Sequence, residues 1–208
     1  MPADPRAASD PGFGTGPGAC QNVGMPNLPD RTDAQVRIGV AIAVPPPFGA
    51  ELGESRRRFG DPQADAIPPH ITVLGPSVVE RDELADTIEH LRKAAAGQEP
   101  FHVVLRGAGT FRPVSPVVFA QVAVGIAECE RLEAAVRTGP LDFPLRFNYH
   151  PHVTVAHEVS DELLDAAFDG MAGYEATFSV DEVHLFEHGD DGVWRPVQGF
   201  PLGSVDAA

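Results

Sequence analysis

Positive charge is scarce in this chain. Its 208 residues carry 15 lysines and arginines against 30 aspartates and glutamates, a formal net charge of −15. A protein that binds duplex DNA or a membrane surface carries a basic stripe, and none is visible. An anionic ligand must therefore meet local positive charge or backbone donors inside a cleft, which leaves a small phosphate ester open. Cysteine is nearly absent: Cys20 and Cys129 supply neither a disulfide framework nor metal-ligand spacing. A reduced, cytoplasmic protein is expected. The chain also lacks an N-terminal apolar segment and any apolar run of membrane-spanning length, so no membrane partner is expected.

Large apolar residues are few in residues 1–34, where prolines such as Pro2, Pro5 and Pro11 alternate with glycines such as Gly12, Gly14 and Gly16. Such a stretch cannot bury enough surface to offset its ordering entropy, and a disordered tail is expected there. The composition of the whole chain, 43% hydrophobic and 22% charged, is that of a globular protein. A single domain is expected over 35–208.

Within that domain one phrase occurs twice, Pro69-His70-Ile71-Thr72-Val73 and Pro151-His152-Val153-Thr154-Val155. Both are β-branched and read as strands. Side chains on a strand alternate faces, so His70 and Thr72 share one face and Ile71 and Val73 the other. His152 and Thr154 are presented in the same manner. Each phrase offers an imidazole and a hydroxyl to one side and an apolar anchor to the other.

The surroundings repeat as well. The run from Arg37 to Val44 reads as a strand ended by Pro45, Pro46 and Pro47. Phe48, Leu52, Ser55 and Phe59 then recur at helical spacing, with Arg56, Arg57 and Arg58 placed to complement the C-terminus of that helix. After the first motif come a helix marked by Leu84, Ile88, Leu91 and Ala95 and a strand marked by Phe101, Val103 and Leu105. The order restarts at Val117: strand, helix through Leu132 and Val136, second motif, helix through Leu163, Leu164 and Phe168, closing strands. A unit duplicated in this way builds two lobes related by a pseudo-two-fold axis, here about 35–115 and 116–208, with exchange of strands between them open. The motif strands are expected at the centres of separate sheets, with His70 and His152 facing each other across a cleft.

Opposed imidazoles suit a reaction that takes one proton and gives another, because near neutrality a histidine serves as base or acid after small shifts. The hydroxyls of Thr72 and Thr154 are placed to donate to an oxyanion between them. In-line displacement at a phosphodiester fits this set: one histidine deprotonates the attacking water and the other protonates the leaving oxygen, with no metal or other cofactor required.

These His-x-Thr motifs resemble those of the two-histidine phosphoesterase superfamily, in the branch named for 2′-5′ RNA ligase and cyclic phosphodiesterase. The resemblance runs from about residue 36 to the end and carries over His70, Thr72, His152 and Thr154. It implies an α+β fold with one antiparallel sheet and helices per lobe around a central cleft, and metal-independent catalysis. It also implies nucleoside or RNA 2′,3′-cyclic phosphates as substrates. A monomer acting on a small phosphoester or an RNA end is expected.

Other groups compete for attention. Arg106, Arg112, Arg146 and Arg195 could each meet phosphate, and Arg146, next to the second motif, is the first choice. His157 reads as a surface or supporting residue. His150 with His152 could serve a metal, although Pro151 restrains the geometry and a third ligand is not evident. A phosphate-binding module without turnover and a metal-assisted hydrolase remain the alternative functions.

Overall fold

A computed structural model describes residues 28–145 and 147–203. Of the expected tail, residues 1–27 lie outside the described residues. Residues 28–34 lead directly into the first strand and are tied to the first sheet: Arg37 donates to the Pro29 carbonyl, and Arg31 pairs with Asp190. The chain then runs β1 (Gln35–Ala43), α1 (Phe48–Arg58), β2 (His70–Glu80), α2 (Leu84–Ala96), β3 (Phe101–Thr110) and β4 (Val117–Val124). It continues with α3 (Ile126–Val136), β5 (His152–His157), α4 (Asp161–Met171), β6 (Glu175–Val180), β7 (Glu182–His188) and β8 (Trp194–Pro201). Each expected helix forms where its apolar spacing predicts. In α2, Leu91 and Ala95 are fully buried, and the helix ends at Gly97. The Ser160 hydroxyl accepts from the Leu163 N–H to cap α4, satisfying one of the donors a helix start leaves open.

Two four-stranded antiparallel sheets result, in the orders β2-β1-β7-β8 and β5-β4-β3-β6. This is the expected α+β, pseudo-two-fold architecture, and it includes the strand exchange. From the first half of the chain β3 joins β4, while β7 and β8 of the second half join β1. Each sheet is thus built from both halves. The helices cross over as well: α1 lies against β5, and α3 against β2.

The motif strands depart from expectation in one respect. β2 and β5 are the edge strands of their sheets, not the centres. The reason lies in the duplication: the two edges approach each other around the pseudo-axis without hydrogen-bonding into a continuous sheet, and the gap between them is the cleft. One side chain spans it. The Tyr149 hydroxyl, from the segment leading into β5, donates to the Thr72 carbonyl in β2 at 3.0 Å.

Candidate active site

Each motif histidine is held by the strand start that precedes it. His70 Nδ1 lies 2.7 Å from the Pro68 carbonyl, and His152 Nδ1 lies 2.7 Å from the His150 carbonyl. A carbonyl can only accept, so in both rings Nδ1 carries the proton and Nε2 is left as the lone-pair nitrogen. His70 Nε2 accepts from the Thr72 hydroxyl at 3.2 Å. The two imidazoles share their tautomer and their anchoring, as pseudo-symmetry requires.

Both are also kept neutral. Burial pulls His70 down to about 4 against the pull of its Pro68 bond, and the nearby Arg56 and His152 charges add to the depression. Burial likewise pulls His152 down to about 4, opposed by the His150 carbonyl and assisted by the His150 ring. His152 is walled by two phenyl rings, Phe111 at 4.9 Å edge-on and Phe119 at 5.0 Å. His150 is exposed, stacks on His152 at 6.3 Å and meets the same two phenyl rings edge-on at 5.6 Å.

The strands are bulged at the same point. Thr72 pairs with Ala41 and Leu74 with Val40, so Val73 is an extra residue; Thr154 pairs with Phe119 and Ala156 with Val118, so Val155 is its counterpart. A bulge returns the following residues to the opposite face from the one strict alternation gives. Gly75 and His157 are thereby turned back to the cleft, and both line a cavity of about 180 Å³ together with His70, Thr72 and Thr154. His157 therefore belongs to the cleft wall. Strict alternation from the motif hid this, and the bulge has no signature in the local residues.

Arg56 is the second residue that local reading misplaced. It is 3% exposed, not a solvated end of α1. Its Nε donates to Asp61 at 2.9 Å and an Nη donates to the Ile67 carbonyl at 2.5 Å, while Asp61 also accepts from the Gln63 N–H at 2.8 Å. This knot shapes the loop between α1 and β2 and brings a guanidinium to the cavity wall. Removing one partner strands a buried charge. Asp61→Ala is expected to cost about 3–5 kcal/mol of stability, read as the urea midpoint at unchanged slope.

The other arginines are engaged elsewhere. Arg106 pairs with Glu175, Arg112 with Asp161 and Asp165, and Arg195 with Asp191, none of them on the cavity. Arg146 lies outside the described residues. Among the described residues no cluster of three histidine, cysteine or carboxylate side chains is placed to hold a metal, and no helix is long and apolar enough to cross a membrane.

Comparison with known proteins gives the family and the fold. A protein of Halalkalibacterium halodurans named "Putative phosphoesterase" is 31% identical over 173 residues, covering 82% of this chain and 100% of its own length. One of the same name from Oceanobacillus iheyensis is 29% identical over 170 residues, covering 81% and 99%. The crystal structure of E. coli LigT complexed with 3′-AMP superposes with a TM-score of 0.61 at 19% identity, covering 82% of this chain and 99% of LigT, and so shares the fold. The family model described as "2'-5' RNA ligase superfamily" matches residues 44–192, a span that holds both edge strands and both histidines. The chain belongs to the 2′-5′ RNA ligase superfamily of two-histidine phosphoesterases.

Proposed function

We propose that the protein is a metal-independent phosphodiesterase that opens a cyclic phosphodiester of the nucleoside or RNA 2′,3′-cyclic phosphate type, with His70 and His152 as the acid–base pair. One observation carries the reading: both imidazoles are fixed through Nδ1 by a carbonyl two residues back, which leaves Nε2 as the lone-pair nitrogen of each ring and so suits each for proton transfer. In the step, one neutral histidine takes a proton from water as its oxygen bonds to phosphorus. The bond from phosphorus to one ribose oxygen breaks, and that oxygen takes the proton of the other, protonated histidine. A ribose phosphomonoester leaves, and the two rings have exchanged protonation states. Thr72 and Thr154 donate to the non-bridging oxygens, and Arg146 is the proposed further phosphate contact.

The low basicity of both rings makes the substrate part of the acid. Above about pH 4 both are neutral in the free protein, yet the reaction needs one imidazolium. A bound diester anion favours that charge. Two pH dependences follow. The maximum of kcat/KM, set by the free protein, is expected on the acid side of pH 6.5, and that of kcat at a higher pH, because it reports the substrate complex. A kcat/KM maximum above pH 7 on cyclic AMP of the 2′,3′ type would count against the assignment. Stability has the opposite sign. Between 6.5 and about 4 the unfolded chain binds protons that the folded chain refuses, so the melting temperature is expected to fall as pH falls through that window, and to fall less steeply in H70N/H152N.

The function itself is tested by incubating the protein with nucleoside 2′,3′-cyclic phosphates and cyclic-phosphate-ended oligonucleotides in EDTA. Conversion to monoesters is expected; activity seen only after adding zinc or magnesium would point to the metal-assisted alternative.

A further inference from the structure

The two motifs are nearly identical, but the chain segments that lead into them are not. Three residues before His70 stands Ile67, and three before His152 stands Tyr149. Ile67 turns into its own sheet and packs against the cluster of Ala41, Phe186 and Trp194. Tyr149 instead crosses to the other lobe, where its hydroxyl donates to the Thr72 carbonyl at 3.0 Å. The ring is half-buried and packs against the core. Burial pushes the hydroxyl well above its ordinary range, and Cys129, Glu133 and Glu130 of α3 push it the same way. The group therefore stays protonated, and a donor, throughout the neutral range.

Both ends of this bond sit where the geometry of the site is set. Thr72 directly precedes the bulge at Val73, where pairing with β1 slips from Ala41 to Val40 and the ladder is locally disrupted. A displacement there carries the Thr72 hydroxyl with it, and His70 Nε2 accepts from that hydroxyl. At the other end, Tyr149 directly precedes His150, whose carbonyl anchors His152 Nδ1. The edges β2 and β5 belong to separate sheets and share no ladder. Elsewhere the lobes are joined by helix packing, α1 on β5 and α3 on β2. Packing is non-directional, whereas a hydrogen bond fixes both a distance and an angle at the residues it joins.

We propose, resting on the phosphodiesterase reading above, that Tyr149 is a positioning residue: its bond to the Thr72 carbonyl fixes the separation of the two histidine-bearing strands, and with it the span over which His70 and His152 act on one phosphorus. Tyr149 touches no reacting atom in this assignment. In-line displacement places the attacking and leaving oxygens on opposite sides of phosphorus, so an error in the span is felt when both rings must act together. Capture of the ground-state phosphate does not need that coincidence. Because Ile67 offers no matching bond from the first lobe, the span depends on this one hydroxyl.

Tyr149→Phe removes one oxygen and keeps the ring. In the full-length protein, kcat on a nucleoside 2′,3′-cyclic phosphate is expected to fall about tenfold with KM within about twofold, since a misplacement of about 1 Å can cost about 10²-fold. Circular dichroism is expected to match wild type. In the His152→Ala background the same change is expected to cost less than about twofold, because a span between two rings has no effect once one ring is gone. A tyrosine that only supports the fold would cost the same in both backgrounds. Inorganic vanadate, which adopts the five-coordinate shape of the transition state, tests the span without turnover. By calorimetry Tyr149→Phe is expected to weaken vanadate about tenfold and inorganic phosphate less than about twofold. Wild-type kcat in folded Tyr149→Phe, equal losses in both backgrounds, or an unchanged ratio of vanadate to phosphate affinity would overturn the proposal and leave the phosphodiesterase reading intact. A wild type inert towards every cyclic ester would sink that reading instead, and the vanadate ratio alone would then decide whether Tyr149 sets the span of the two rings.

Discussion

Replacing either His70 or His152 by alanine is expected to lower kcat on a nucleoside 2′,3′-cyclic phosphate by roughly 10²–10⁴-fold, the range for loss of a positioned proton donor or acceptor. The double variant is expected to lose far less than the product of the two single losses. Residues that act as one unit forfeit most of the unit's effect when the first is removed. The geometry gives a reason to expect near-equal single effects: both rings are anchored by the same Nδ1 bond at 2.7 Å and both are depressed to about 4 by burial. Neither substitution should unfold the protein, because each ring sits at a cleft edge and not in the core formed by Ile71, Val73, Val153 and Val155. Full activity in either single variant, with native circular dichroism, would defeat the acid–base mechanism.

Local chemistry was legible in the sequence to the extent that it is local. The two motifs, their alternation and the four helices follow from periodicities of two and 3.6, and each forms at the expected residues. Partnership is another matter. Nothing in Phe101–Thr110 says that β3 pairs with β4 and β6 instead of with β1, because pairing is settled by which edges remain open once the other strands have met. The edge placement of β2 and β5 was hidden for the same reason. Arg56 illustrates a different limit. Three arginines at the end of α1 satisfy the helix dipole equally well on paper, and only the return of the chain at Asp61 and Ile67 selects the first for burial.

Thr72→Val and Thr154→Val preserve side-chain shape and remove one hydroxyl each, and under the proposed mechanism each deletes a donor to the charge that develops on phosphorus oxygens. Loss of one such donor costs up to about 10²–10³-fold in kcat. The two threonines are not in the same starting condition, however. In the free protein the Thr72 hydroxyl is already engaged with His70 Nε2 at 3.2 Å, whereas Thr154 has no such bond to His152 among the described residues. For Thr72 to serve the phosphate it must give up one hydrogen bond as it makes another, and the net worth of an exchanged bond is only about 1 kcal/mol. Thr154 gives up no side-chain hydrogen bond among the described residues. Thr154→Val is therefore expected to sit at the upper end of the range and Thr72→Val several-fold below it, with the loss in kcat and little change in KM, the pattern of an interaction made chiefly in the transition state. The reverse order would show that the Thr72–His70 bond is itself part of the catalytic apparatus, holding the ring for proton transfer. Wild-type rates in both variants would remove the hydroxyls from the mechanism and leave the charge on the phosphate to donors outside the two motifs.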